Sequence, residues 1–106
     1  MGSADMAKNH LVCDKTEIIV TVLMGNQWRN VSITADKIRR IQFDRCKERA
    51  FLFKTVDSEK ISIEYSPSPA PIVIFKQKEK KYFDDYKKQL EKFAKDNHLT
   101  FVDNTR

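Results

Sequence analysis

Glycine is nearly missing from this chain. Of 106 residues only Gly2 and Gly25 are glycine, which excludes the Gly-rich loops that cradle phosphates. Cysteine is as scarce. Cys13 and Cys46 are too few for a disulfide-rich scaffold, and two free thiols in a reducing compartment are expected rather than one bridge. The longest apolar stretch, residues 18–24, is far short of a membrane span. The first residues lack the apolar core of a secretory leader. A cytoplasmic location is therefore expected, unless the chain is cut from a larger membrane protein. Histidine is limited to His10 and His98, and neither sits in a His-x-x-x-His spacing. No Gly-x-Ser-x-Gly elbow occurs, so a nucleophile with a sequence-placed base is not indicated.

What is present fits one domain with a modest core. Hydrophobic residues make up 41% and charged residues 33%, and seven Phe, three Tyr and one Trp supply large core pieces. The net charge is +5, enough for weak attraction to nucleic acid, acidic proteins or anionic lipid without selecting among them. Both halves share the excess: residues 1–60 carry 11 Lys+Arg against 8 Asp+Glu, and residues 61–106 carry 9 against 7. Residues 1–10 read as a flexible terminus and 11–106 as the domain. Met1-Gly2-Ser3 reads either as a cloning scar ahead of a native start near Met6 or as native sequence.

Residues 16–24 read as a strand, with Ile18, Val20, Val22 and Met24 on one face and Ile19, Thr21 and Leu23 on the other. Two apolar faces predict a central strand, or one covered on both sides. Gly25-Asn26-Gln27 signals a turn into an antiparallel strand over 28–33, with Val31 and Ile33 inward. A break over 34–37 precedes a strand over 38–44, with Ile41 and Phe43 inward. Residues 45–49 read as a charged turn. A fourth strand is expected over 50–56, led by an inward Phe51 and Phe53, then a polar hairpin turn over 57–60. Ile61, Ile63 and Tyr65 alternate with Ser62 and Glu64 in a half-exposed strand. Residues 66–71 hold all three prolines and read as an extended surface loop, either a stiff connector or a ligand for a proline-reading domain. Residues 72–75 form a sixth strand, and residues 99–102 add a short strand or pack the tail down. A helix is expected over about 80–97, because Phe83, Tyr86, Leu90, Phe93 and Ala94 recur at steps of three and four.

The order of strands, a break within Val31-Ser32-Ile33-Thr34-Ala35-Asp36-Lys37-Ile38-Arg39-Arg40-Ile41, and an aromatic closing helix from Tyr82 to Phe93 resembles the pleckstrin-homology-like (PH-like) fold, in its small bacterial type. The resemblance spans roughly residues 16–97 and implies a bent antiparallel sheet or barrel of six to seven strands capped by one C-terminal helix. It also implies a non-enzymatic interaction or structural module. The chain departs from many relatives in having its only Trp, Trp28, in the second strand rather than in the helix. Its first hairpin offers only Arg29, whereas phosphoinositide-binding relatives carry several cations there. The alternative fold is a single antiparallel sheet with the helix across one face.

Candidate chemistry is thin. His10, Cys13 and Asp14 lie close together, but a zinc site needs four ligands, or three and water, so no metal or cofactor is expected. His98 is placed to complement the helix C-terminus. Asp84 and Asp85 diverge as helix neighbours; Lys81–Asp85, Asp84–Lys88, Glu91–Lys95 and Lys92–Asp96 read as solvated pairs. Cys46 among Arg45, Lys47 and Arg49 has cationic company of the kind that lowers a thiol pKa, against the plainer reading of a loop or edge cysteine. Lys37, Arg39, Arg40, Arg45, Lys47 and Arg49 form one basic group and Lys76, Lys78, Lys80 and Lys81 another. They make an anion-binding face if the fold joins them, and a solvated surface otherwise. The leading function is a protein-binding or structural module; the alternative is electrostatic binding of anionic lipid headgroups or nucleic acid. Deleting residues 81–106 should leave an aggregating or molten product, because burying each large helix side chain contributes roughly 1.5–3 kcal/mol. A truncation that unfolds cooperatively in circular dichroism melts would contradict this.

Overall fold

Strand alternation, with every second side chain facing the core, organises the residues that the computed structural model describes: 10–51 and 54–106, with 50 and 51 described through their backbone. β1 (Leu11–Cys13), β2 (Glu17–Met24) and β3 (Gln27–Thr34) form an antiparallel sheet in that order. β4 (Ile38–Phe51), β5 (Lys54–Tyr65), β6 (Ile72–Phe75) and β7 (Phe101–Asp103) form a second, ordered β6-β5-β4-β7. β7 runs parallel to β4, and the other pairs are antiparallel. One helix, α1 (Phe83–Asp96), separates β6 from β7 in sequence. The fold is mainly β with one C-terminal helix, as expected. Among the described residues the two sheets do not close into a barrel. The possible scar at residues 1–3 lies outside the described residues.

β2 is central in its sheet, as its apolar faces predict. Gly25 takes φ 64° at the first position of the two-residue turn into β3, where a type II′ hairpin needs glycine. β1 had no sequence signal, being three residues long. The strand expected over 38–44 instead continues through Arg45–Arg49, so that stretch is no turn. Lys47 pairs across the hairpin with Asp57 at 2.9 Å, and Arg45 and Arg49 stand opposite Glu59 and Thr55. Cross-strand partners, invisible to local composition, override the low strand propensity of charged residues. For the same reason residues 57–60 lie inside β5 rather than in a turn, and of the strand expected over 50–56, residues 50–51 end β4 and residues 54–56 begin β5. The side chains of Phe51 and Phe53 lie outside the described residues.

A β-bulge sits between Ile38 and Arg40, where the register with β5 shifts. Without it, Ile38 and Ile41 would face opposite sides. With it, Ile38, Ile41 and Phe43 are all buried. Arg39, at the bulge, donates to the carbonyls of Tyr65 (3.4 Å) and Ser68 (3.2 Å), holding the largely exposed proline-bearing loop. That loop contains a cis Ser66–Pro67 bond.

One core joins both sheets to α1. The helix buries Phe83, Tyr86, Leu90, Phe93 and Ala94, the five side chains its spacing selects. They pack with Leu11, Ile18, Val20 and Ile33 of the first sheet and with Ile41, Phe43, Ile61, Ile63 and Ile74 of the second. Of the four expected helix pairs, Lys92–Asp96 forms at 2.7 Å. Asp85 instead accepts from Gln89, and Glu91 pairs with Arg106. The helix ends in a Schellman arrangement: Leu99 N–H donates to Ala94 O (2.9 Å) and His98 N–H to Lys95 O (3.4 Å). His98 occupies the left-handed position with φ 55°, which glycine takes without strain. His98→Gly should therefore raise stability by about 0.5–1 kcal/mol, read as a higher midpoint in urea; a lower midpoint would contradict this reading of the cap.

Candidate functional site

A cleft of about 560 Å³ lies between the two sheets. Residues 20–23 of β2 and all of β6 line it, with His10, Trp28, Lys78 and Glu79. Because consecutive residues of each strand contribute, the walls are strand edges rather than strand faces. Among the described residues the β2 edge is covered only as far as Thr21, whose N–H donates to His10 O at 2.8 Å. Among the described residues β6 has no neighbour on its outer side. Leu23 and Trp28 are each 57% exposed at the mouth, and Val73 is 38% exposed.

One end of the cleft is built from polar groups. His10 Nδ1 lies 3.0 and 3.1 Å from the two carboxylate oxygens of Glu79, and its ring stacks on Trp28 at 4.5 Å between centroids. Tyr86 OH donates to Glu79 Oε1 at 2.7 Å and accepts from the His10 backbone N–H at 2.8 Å. Burial, then the Glu79 hydrogen bond, pushes the Tyr86 phenol well above its usual range. This phenol stays neutral at physiological pH. The expected neighbourhood of His10, Cys13 and Asp14 forms no metal-holding group among the described residues. Glu79 is 69 positions from His10, so nothing local in the sequence marks the pair. Trp28 had a signal: it has the opposite strand parity to Val31 and Ile33, and so points away from the core.

The basic residues are dispersed. Lys37 ends the 3₁₀ turn Ala35–Lys37, Arg39 holds the proline loop, and Arg40 pairs with Glu64 at 3.7 Å. Arg45 donates to Thr105 O at 3.0 Å, and Lys47 is paired with Asp57. Arg40 and Arg49 are nine residues apart along β4, or roughly 30 Å at the usual rise. Lys76 and Lys78 sit in the 3₁₀ turn Lys76–Lys78. Lys76 meets Arg45 in a hollow of about 390 Å³, shared with Asp57 and Glu59. Lys78 lines the cleft between the sheets instead.

Both cysteines are free and half-buried. Strand alternation corrects the idea of a cation-activated Cys46: Arg45 and Lys47 point to the opposite face. Burial, followed by Glu48, raises the Cys46 thiol pKa. Burial, then Asp85, pushes Cys13 up to about 12. No family model, no curated protein and no solved structure matches this chain.

A raised thiol pKa means less thiolate at any fixed pH. Cys13 should therefore alkylate with iodoacetamide at pH 8 at least about tenfold more slowly than an unperturbed thiol. Peptide mass spectrometry over time checks this, and rapid labelling of Cys13 in the folded protein would contradict it. Tyr86→Phe strands the His10 N–H and removes a donor from Glu79, so it should cost about 1–3 kcal/mol in urea unfolding; an unchanged midpoint would show the network to be dispensable.

Proposed function

We propose that this chain is a non-enzymatic PH-like module that binds a protein partner at the cleft between β2 and β6. On this reading the two sheets are the halves of a bent barrel capped by α1 and open along one seam. Seven strands among the described residues, a core shared by both sheets and a C-terminal helix seated on it support the architecture. One observation carries the function: Leu23, Trp28 and Val73 stand exposed around an apolar-walled cleft. Grouped exposure of large apolar side chains marks interaction sites, whereas isolated ones need no account. A cleft of this size lies in the usual range for ligand sites.

The alternative is electrostatic binding of anionic lipid headgroups or nucleic acid. It draws on Arg45 and Lys76 meeting in one hollow, although Asp57 and Glu59 share that hollow and offset the field. Retention on phosphatidylserine vesicles or duplex DNA at low salt, lost steeply at moderate salt, would favour it.

Trp28 is the only tryptophan, so its fluorescence reports occupancy of the cleft. A partner purified with the protein should shift Trp28 emission to shorter wavelength and bind about tenfold or more weakly to Leu23→Asp. Binding that leaves both the emission and the Leu23→Asp affinity unchanged would contradict the proposal.

A further inference from the structure

We infer that the cleft is a strand-acceptor site, taking an extended peptide of a partner protein with alternating apolar residues and at least one acidic residue. This rests on the protein-binding reading above and names its ligand class. The two walls are open strand edges facing each other. Along β2, even-numbered residues bond to β3 across the Met24–Gln27 hairpin closure, while the Thr21 N–H bonds to His10 O on the other side. The same alternation turns the N–H and C=O of Leu23 into the cleft, beyond the end of β1. In β6 every second residue presents its N–H and C=O away from β5.

The cleft is of the scale of one short strand. Four residues at a rise of about 3.3 Å, with strands about 4.8 Å apart and sheets about 10 Å apart, occupy roughly 600 Å³. The cleft offers about 560 Å³. A strand on the line of β1 would run antiparallel to β2, as β1 does. Its side chains would meet Leu23, Trp28 and Val73, so β-branched and aromatic residues suit it.

Charge selects the acidic residue. Glu79 is occupied by His10 and Tyr86. Lys78 is exposed, lines the cleft and has no ion pair among the described residues. The chain's own sequence ahead of His10, Ala7-Lys8-Asn9, is poor in β-formers and carries a further cation. It matches neither the apolar walls nor Lys78.

The test selects random heptapeptides displayed on phage against the full chain, with Leu23→Asp as the counter-target. Enriched peptides should alternate apolar residues and carry Asp or Glu. They should shift Trp28 emission, and N-methylation at alternate backbone positions should weaken them about tenfold or more, since each lost ladder bond and each methyl clash opposes pairing. Lys78→Gln should weaken acidic peptides and leave their neutral analogues unchanged. Peptides that shift Trp28 but tolerate N-methylation everywhere would overturn strand addition while sustaining the protein-binding reading. Failure to enrich any peptide over the counter-target would overturn both. Trp28 already shielded from acrylamide in the free protein would mean that the chain itself or a second copy fills the cleft. That result would also overturn the inference, and light scattering would identify which occupant is present.

Discussion

The packing of one helix face against two separate sheets is the constraint on which this fold depends. The sheets share no strand pairing among the described residues, so α1 supplies much of what joins them. Leu90 and Phe93 belong to the same core as Ile18 of one sheet and Ile41 of the other. Directional bonds fix the position. Gln89 Oε1 accepts from Cys13 N–H at 2.9 Å, and Asn97 Nδ2 donates to Lys15 O at 3.1 Å, tying α1 to the first sheet. Lys87 reaches Glu59 at 2.8 Å and lies over the Phe43 ring, tying it to the second.

A joint made at one place leaves the sheets apart elsewhere. The core closes where α1 lies, and the seam between the end of β2 and β6 stays open. His10 and Glu79 terminate that seam, and Tyr86 connects it to the helix. The His10 ring, paired with Glu79 and stacked on Trp28, holds one side of the mouth. Preorganised walls spare a bound segment much of the ordering cost of association.

The period-two and period-three-to-four patterns were legible where one face is buried. α1 follows directly from them, as does the inward parity of Val31 and Ile33. Charged strand segments were not legible. Arg45, Lys47, Asp57 and Glu59 look like turn residues until each is seen facing its partner across the β4–β5 hairpin. The plainer reading of Cys46 prevails over cation activation for a related reason, since sequence neighbours in a strand occupy opposite faces. The site left one signal in the sequence, the parity of Trp28 opposite to that of Val31 and Ile33, whereas Leu23 read as part of a covered apolar face. The pairing of His10 with Glu79 depends on tertiary placement, and no local pattern announces it. The dispersal of the basic residues along β4 likewise follows from its length as a continuous strand.

The central claim is an open seam beside a closed one, and amide hydrogen exchange reads both in a single experiment on the free protein. The Thr21 N–H, bonded to His10 O, should be protected, while the Leu23 N–H two residues on should exchange at nearly the rate of an unbonded amide. Strong protection of Leu23 in the free protein would mean that the seam is already paired, and would contradict the account.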